Sequence, residues 1–373
     1  MTTSLHNHFR WIPDPRTGNN KKHNLLEVII MSVLAVLCGA ESWYEMEEFG
    51  KEKEAFLKQL LPLENGIPSH DTINRVFMLI DAALFERCFR AWTAELSRGL
   101  GKADLSGEKE LIAIDGKSIC NSACKHQGLG ALHLVSAWSG RTQLVLGQQK
   151  VNDKSNEITA IPALLSLLNI KEAVISIDAM GTQKAIAEQI IESQGDYILA
   201  LKQNQETLYE QVINQLNFKE DSYSQHLDKG HGRAEIRNCK VVHELNWVDE
   251  KENWKGIKSI IKITSERIIG DSHSIQDRYY ISSLRADAAY FNQAIRAHWG
   301  IENQLHWQLD VGFGEDYNTT RNKQAAQNLA VVRKIALNIL KADKTSNASL
   351  KAKRKMAGWN NKFLLALIAK SNF

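Results

Sequence analysis

The stretch that decides the fold is Leu111-Ile-Ala-Ile-Asp-Gly-Lys117, an apolar run with one acidic residue inside it. Side chains of this kind predict a strand over residues 109–116. A buried aspartate within a strand is costly unless a metal ion or an ion pair satisfies its charge. Asp115 is therefore the first candidate for a functional carboxylate, and Gly116 beside it allows a close backbone approach.

The segments after this strand predict a mixed sheet. Two short strands come first, joined by turns that contain glycine, and helices and strands then alternate. The predicted strands cover 131–138, 142–150, 173–178 and 197–201, and the predicted helices cover about 156–168, 182–194 and 204–216. Three antiparallel strands followed by alternating helix and strand predict an α/β (α+β) fold, an RNase H-like mixed sheet with covering helices.

The second candidate carboxylate is Asp178, at the end of Ala173-Val-Ile-Ser-Ile-Asp178. It precedes Ala-Met-Gly-Thr, where a strand opens into a helix, and ligands gather at such strand ends in open α/β sheets. For either aspartate alone, a plain role in ending a strand and capping a turn is the better interpretation. For Asp115 and Asp178 together, in this order of elements, metal binding is favoured.

A third acidic residue lies in a helix predicted over residues 288–309. His298, Glu302, His306 and Asp310 follow one another at intervals of four and form one polar stripe. The two histidines are about 12 Å apart along the helix axis, too far to share one zinc ion. A solvated helix face is the plain alternative, but flanking tryptophans and leucines indicate the edge of a core. We therefore expect Glu302 to be the third metal ligand.

Three carboxylates brought together suit hard divalent cations such as Mg²⁺ or Mn²⁺. Two such ions, about 3.5–4 Å apart, can activate a water or a 3′-hydroxyl on one side of a phosphodiester and stabilise the leaving oxygen on the other. The residues thus predict a two-ion phosphoryl-transfer site. In that site we expect His298 and His306 to lie near the phosphates of DNA.

The chain divides into three predicted regions. Residues 1–105 form an N-terminal helical, DNA-binding region, 106–345 form the catalytic domain, and 346–373 form a basic C-terminal tail helix. A polar, β-rich insertion at about 217–286 interrupts the catalytic domain before its last helix. Because loop closure costs little more for a long insertion than for a short one, Asp178 and Glu302 can still meet.

Several strings resemble the H-repeat-associated DDE transposases of bacterial insertion sequences. They include Ile114-Asp-Gly-Lys-Ser118, Lys154-Ser-Asn-Glu-Ile-Thr-Ala-Ile-Pro162, Ser176-Ile-Asp-Ala-Met-Gly181, Gly230-His-Gly-Arg-Ala-Glu235 and Ala297-His-Trp-Gly-Ile-Glu-Asn-Gln-Leu-His306. The resemblance runs nearly end to end and implies an RNase H-like core, divalent metal, and DNA cleavage and strand transfer. It assigns Asp115, Asp178 and Glu302 to the catalytic triad.

One departure from related cut-and-paste families concerns the last catalytic helix. Those families carry Tyr and then Arg before the Glu, and Lys after it. Here the same spacings give Ile295, His298 and Leu309. The resemblance therefore does not extend to a hairpin mechanism that depends on that set.

Charge is distributed unevenly although the net charge is only +3. From Arg321 to Lys370, twelve basic residues stand against Asp343 alone, which indicates a polyanionic partner. Lys353, Arg354 and Lys355 are candidates for DNA phosphate contacts, which give affinity without sequence choice. An amphipathic helix that packs Leu364, Leu365 and Leu367 inward is an equal alternative.

Other candidate DNA contacts are scattered along the chain. The helix predicted from His70 could enter a major groove with Asn74 and Arg75, although packing within the N-terminal bundle explains it as well. Four residues are further candidates for phosphate contacts, and ordinary surface basicity is the plain alternative for each: Lys117, Lys202, His231 and Arg233.

The composition also predicts location and partners. Five cysteines without CxxC spacing, and no secretory signal pattern, indicate a reduced cytoplasmic protein. The resemblance implies that it is bacterial and associates with the nucleoid when bound to DNA. The uncharged run from Val28 to Ala40 is too short for a bilayer that needs about 20 residues, so no membrane contact is expected. Expected partners are terminal inverted repeats, target DNA and further copies of the chain. A catalytically idle DNA-binding remnant and a metal-dependent nuclease with a host role stay open as alternatives.

Overall fold

The computed structural model describes residues 4–18, 21–100, 109–123, 128, 130–152, 155–216, 220–230, 232–249 and 251–370. Within these ranges the N-terminal region is helical, as predicted. Its helices are α1 (Ser4–Phe9), α2 (Leu25–Leu37), α3 (Trp43–Glu52), α4 (Glu54–Leu57), α5 (His70–Leu79) and α6 (Ala82–Leu100). Polar side chains fix their starts: Asn24 accepts from the first backbone N–H groups of α2, and Ser42 with Glu45 forms a capping box on α3.

Nine strands form one mixed sheet in the described residues. They are β1 (Glu110–Ile119), β2 (Leu132–Ser139), β3 (Val145–Lys150), β4 (Ala173–Ile177), β5 (Asp196–Leu201), β6 (Ser222–Gly230), β7 (Arg233–Val242), β8 (Ser259–Ile269) and β9 (Ser272–Ser282). Their order is β3-β2-β1-β4-β5-β9-β8-β7-β6. In the first five strands, β1 pairs antiparallel with β2 and parallel with β4, and β4 pairs parallel with β5. The predicted RNase H-like mixed sheet is confirmed.

The β-rich insertion extends this sheet. β9 pairs antiparallel with β5, and β8, β7 and β6 follow outward. The outermost strand β6 was not expected from the sequence. β1 also continues past the predicted end, because Lys117, Ser118 and Ile119 pair with the first residues of β2.

The later helices cover both faces of the sheet and join it to the N-terminal helices. They are α7 (Glu157–Ser166), α8 (Lys184–Glu192), α9 (Glu206–Leu216), α10 (Ala288–His298), α11 (Lys323–Ala342), α12 (Leu350–Trp359) and α13 (Asn361–Lys370). One apolar core lies under α7, α8 and α9, and a second lies under α10. A third core joins the N-terminal helices with α11, α12 and α13.

The C-terminal region differs from the predicted single tail helix. Two helices, α12 and α13, meet at Asn360 and share their core with the N-terminal helices. Leu364 and Leu367 are buried, as the amphipathic alternative predicts, whereas Leu365 is exposed. The segment is thus a packed part of the fold.

The segment predicted as one helix over 288–309 is α-helical only in its first part. After α10 ends at His298, the chain continues in π-helical turns over Ile301–His306 and Gln308–Gly312. The backbone N–H of Trp307 donates to the Glu302 carbonyl, five residues earlier. π-helical turns are rare and frequently occur at functional sites, and Glu302 lies in this one.

No helix in the described ranges has the length and apolar character needed to cross a bilayer. α2, which contains most of the uncharged run, is instead buried in the core of the N-terminal helices.

Candidate active site

Two neighbouring parallel strands bring Asp115 and Asp178 to one place. Ile114 on β1 is the register partner of Ile177 on β4, so the aspartate that follows each of them lies at the same level of the sheet. The Asp178 carboxylate also accepts the Gly181 backbone N–H at 3.3 Å, which holds it at the start of the turn. Both side chains line the same cavity.

Glu302 reaches this cavity from the π-helical segment. His306 lies one turn further along, with its Nδ1 3.4 Å from an Asp115 oxygen and 3.6 Å from a Glu302 oxygen. One potential ligand atom from each of Asp115, Glu302 and His306 lies within 4.8 Å of the other two. Asp178 is outside this tight group but lines the same cavity as Asp115 and Glu302.

The carboxylates perturb one another because they are close and poorly solvated. Burial raises the pKa of Asp115 to about 8, with help from a hydrogen bond to Glu302 and the negative charges of Glu302 and Asp178. The neighbouring His306 ring is the main cause that lowers the pKa of Glu302 to about 2. Burial also raises the pKa of Asp178. Asp115 and Glu302 therefore share a proton in the absence of a cation.

This donor set fits a divalent cation. Carboxylate oxygens are the ligands that Mg²⁺ and Mn²⁺ prefer, and an added positive charge would replace the shared proton. Nε2 of the buried His306 ring has no hydrogen-bond partner among the described residues. The other ring nitrogen, Nδ1, is the one that faces both carboxylates, and it could join them as a ligand of one cation.

The two histidines of the stripe lie in different surroundings. His306 is buried beneath the carboxylates, so it cannot contact a DNA phosphate as it stands. Nδ1 of His298 lies 2.8 Å from Ser176 Oγ, and burial lowers its pKa to about 4. His298 is therefore neutral at physiological pH and offers no positive charge to a phosphate. Burial contradicts the expectation that His306 lies near the DNA phosphates, whereas the same expectation for His298, which lines the cavity, stays a prediction.

Lys117 likewise has another role than the predicted phosphate contact. Its Nζ lies 2.6 Å from Asp310, 2.9 Å from Glu315 and 3.5 Å from Asp316. Surrounded by these acids and largely buried, it ties β1 to the chain that follows Glu302. Asp115 lies on β1, and Glu302 lies just before the segment that contains Asp310. The ion pairs of Lys117 therefore hold the two carboxylate-bearing parts of the chain together.

A polar chain that the sequence did not reveal lies beside Asp115. Ser118 Oγ is 2.6 Å from His133 Nδ1, and His133 Nε2 is 2.7 Å from Glu157 Oε1. A side chain at Gly116 would collide with it, since a Cβ there would lie 2.1 Å from Glu157. Gly116 is thus needed for the close approach of Glu157, and the Glu157 charge contributes to the raised pKa of Asp178.

The C-terminal candidates separate into buried and exposed residues. Lys353 is 5% exposed and pairs with Asp343 at 3.0 Å, while Arg354 is 4% exposed and donates to the carbonyls of Val36 and Ala40. Their prediction as DNA contacts was wrong, because their charge and donors are already used inside the fold. Lys355 is exposed.

The positions of the other candidates leave them as predictions. Lys202 is exposed and lines the carboxylate cavity, and Arg233 is exposed on β7. On α5, Arg75 is exposed and Asn74 is half-buried. His231 lies outside the described residues.

The cavity around the carboxylates has a volume of about 420 Å³. Its lining combines Asp115, Asp178 and Glu302 with several aromatic side chains. The aromatic residues include Tyr209, Tyr279, Tyr280 and Trp299. A few polar groups in a largely apolar recess are typical of a substrate site.

Two family models match the chain. The model described as "Transposase DDE domain" matches residues 106–339, and the model described as "DDE_Tnp_1-associated" matches residues 6–93. The first contains all three carboxylates of the cavity.

Curated relatives from Escherichia coli (strain K12) match almost the whole chain. "Putative protein YbfL" is 41% identical, and "H repeat-associated putative transposase YhhI" is 40% identical; each alignment covers 98% of this chain and 98% of that protein. Among solved structures, a piggyBac transposase synaptic complex with hairpin DNA gives a TM-score of 0.40 at 10% identity, covering 100% of this chain and 77% of that chain. A similarity at that level carries no argument.

Proposed function

The chain belongs to the DDE transposase family, and on that premise we propose that it cuts DNA at the ends of an insertion sequence and joins those ends to target DNA. Asp115, Asp178 and Glu302 are the catalytic residues and the ligands of two Mg²⁺ or Mn²⁺ ions. One observation carries this proposal. Three acidic residues from three separate elements line one cavity, and the pKa of Asp115 is raised to about 8.

The neighbours of these residues support the same role. When bound, the ions would polarise the scissile phosphodiester and lower the pKa of the attacking water or 3′-hydroxyl. Asp115 would give up its proton where a cation is held, and Gly181 keeps the Asp178 carboxylate oriented. His298 is influenced by the nearby Glu302 charge but is neutral. It therefore does not attract the phosphate away from the metal ions, as a positively charged side chain would. Lys202, exposed at the cavity, is placed to pair with a phosphate oxygen.

Recognition of the element ends is proposed for the N-terminal helices. α5 begins at a Ser69 cap and exposes Arg75, with Asn74 half-buried next to it. If these side chains contact bases or phosphates of the terminal inverted repeats, Asn74→Ala with Arg75→Ala will weaken a gel shift on repeat DNA. An unchanged shift would reject this role, and α5 would then serve only to pack the N-terminal bundle.

The remaining partners follow from the reaction. Because two element ends and one target must be brought together, we propose that the protein acts as a homo-oligomer on DNA, in the cytoplasm and at the nucleoid. Cross-linking with and without end duplex is the corresponding measurement, and a chain that stays monomeric on two-ended DNA would contradict it.

Strand transfer is the reaction that tests the proposed function. The protein is incubated with a labelled element-end duplex, a target plasmid and Mg²⁺, and joined products are resolved on a denaturing gel. We expect cleaved ends and joined products together. Cutting without joining would indicate a nuclease with a host role, and binding without cutting would indicate an idle DNA-binding remnant; either result would reject transposition by this chain.

A further inference from the structure

A second groove lies next to the carboxylate cavity, on the face of the insertion strands that carries α10. The two share part of their walls, because Arg278, Tyr280, Ile295 and Trp299 line both. The second groove has a volume of about 270 Å³. We call it the arginine groove, since five arginines line it: Arg233, Arg237, Arg267, Arg278 and Arg296.

Strand alternation explains how the groove arises. On β7, every second residue faces α10, and this row is apolar at Val241 and Cys239. The same row then becomes Arg237, Glu235 and Arg233. This row of β7 is therefore apolar where it covers the core near the start of α10. It is charged where the strand extends past that core.

Most arginines of the groove have no close carboxylate partner among the described residues. Among the described residues, no carboxylate oxygen lies within 4.0 Å of the guanidinium nitrogens of Arg233, Arg267 or Arg278. Arg237 is 8% exposed, and the hydrogen bond of its side chain within the described ranges is to a histidine nitrogen, His226 Nδ1 at 3.3 Å. Arg296 has two long contacts to acids, at 3.8 and 3.9 Å. Guanidinium groups in this state bind phosphate strongly, because each offers several donors in a planar fork.

Two acceptors at the floor of the groove are also without partners. Oε2 of Glu235 and Oδ1 of Asn292 have no hydrogen bond in the described structure, although these residues are only 8% and 4% exposed. A buried acceptor left unpaired is costly, so a donor from outside is expected to complete it. The groove therefore offers phosphate donors at its rim and amine acceptors at its floor.

We propose that the arginine groove holds an unpaired nucleotide of a DNA strand that leaves the carboxylate cavity. Its phosphate contacts the exposed arginines, and the amino group of its base donates to Glu235 and Asn292. A duplex would bring its phosphates to such a groove, but its stacked bases stay inside the helix and cannot enter as far as the floor. This inference rests on the proposed function, since that function brings a DNA strand to the shared wall.

The chemistry of the floor predicts which bases bind. Cytosine, adenine and guanine each carry an exocyclic amine, whereas thymine presents one N–H between two carbonyl oxygens. Those carbonyls would face the carboxylate and the amide oxygen and be repelled. We expect oligo-dC to bind about tenfold more tightly than oligo-dT.

The test is fluorescence anisotropy of labelled single strands with the full-length protein in EDTA, where no cleavage occurs. Arg233→Gln with Arg267→Gln should lower the magnitude of the salt slope for single strands by about 1.4, or about 0.7 for each lost phosphate contact. Arg285→Gln, an exposed arginine before α10 and outside the groove, is the matched control and should leave the slope unchanged. Glu235→Gln should reduce the preference for dC over dT to about twofold. Glu235 is buried, so its replacement could destabilise the protein, and thermal unfolding of Glu235→Gln is first compared with that of wild type. Arg233 and Arg267 are exposed, and replacing them carries no such risk.

Three results would overturn the inference: arginine variants that bind single strands with the wild-type slope, equal affinity for dC and dT, or a blunt duplex that binds as tightly as dC and loses as much in the variants. The strand-transfer assay separates this failure from that of the proposed function. If wild type joins DNA and the groove variants still bind single strands normally, the binding role of the groove is rejected and transposition is retained. Selective single-strand binding without any joining rejects transposition and leaves the groove.

Discussion

The carboxylate cavity and the arginine groove share a wall, yet one concentrates negative charge and the other positive charge. In each, the charges lack enough internal partners: Asp115 retains a proton, and the exposed Arg233 and Arg267 have no carboxylate in reach within the part of the chain that the structure describes. The C-terminal helices provide the contrast. There Lys353 and Asp343 neutralise each other inside the fold. Buried or clustered charge that is paired stabilises this protein, and charge left unpaired marks the surfaces where ligands are expected.

The largest effect is expected for Glu302→Gln, which keeps the shape of the side chain and removes its charge. Metal stabilisation of the transition state contributes several kcal/mol, so cleavage should fall by about a thousandfold. Binding of end duplex in EDTA should be unchanged, because Glu302 does not attract phosphate. Single-turnover kinetics measure the cleavage rate, and fluorescence anisotropy measures the binding of end duplex. A variant that still cuts within about tenfold of wild type would show that Glu302 is not one of the catalytic carboxylates.

Lys353→Met tests the paired region. Asp343 would keep Lys370 and Thr345 but lose its buried partner, and breaking a buried pair costs about 3–5 kcal/mol. The expected result is a large loss of unfolding free energy in urea with no change in the salt dependence of DNA binding. Lys355→Met, at an exposed position on the same helix, is the control and should barely affect stability. Equal stability of the two variants would contradict the assignment of Lys353 to the fold.

Asp115→Asn tests the unpaired acid through its pH dependence. In metal-free wild type the pKa of Asp115 is raised from its usual 3.8 to about 8, so the folded state holds a proton that the unfolded chain has released. Folding stability contributed by this proton is complete below pH 3.8 and is lost as the pH rises through about 8. We expect the variant to be more stable than wild type by about 2 kcal/mol at pH 8, with a smaller difference at pH 5.

Urea unfolding in EDTA at both pH values measures this difference, and Mg²⁺ should stabilise wild type at pH 8 but not the variant. Parallel pH curves for the two proteins would show that Asp115 is not strained in the metal-free cavity.

Gly116→Ala should have the smallest effect of these changes. The new Cβ would lie 2.1 Å from Glu157 Oε1 and 2.7 Å from His133 Nε2, so both side chains must move. We expect a loss of about 1–3 kcal/mol in stability and about tenfold in cleavage, because Asp115 is the adjacent residue. Gly99→Ala, a helical glycine with open space around it, is the control. Wild-type cleavage by Gly116→Ala would show that the Glu157 chain is independent of the site.

The sheet was largely predictable from the sequence, and the exceptions have physical reasons. Strands β1 to β5 have strong apolar runs, and their order followed from the alternation of helices and strands. β6 was missed because it is an edge strand with few buried residues, and its polar side chains carry no core signal. The π-helical turns were missed because intervals of four suit an α-helix as well.

Charge was the least predictable property. Both Lys353 and Arg354 belong to a basic run, but their partners come from residues far away in the chain, and a count of charges does not reveal such pairs. The same limit hid the arginine groove, which combines residues from β7, β8, β9 and α10. By contrast, the meeting of Asp115 and Asp178 followed from the rule that parallel strands end at one edge. Their role as metal ligands stays a prediction.

The most direct test of the carboxylate cavity is single-turnover cleavage of a labelled element-end duplex by wild type and Asp178→Asn, with Mg²⁺ and with EDTA. DNA binding is recorded in the same samples. We predict metal-dependent cleavage by wild type, none above background by the variant, and equal binding by both. Cleavage by Asp178→Asn at the wild-type rate, or wild-type cleavage that persists in EDTA, would contradict the assignment of the reaction to this cavity.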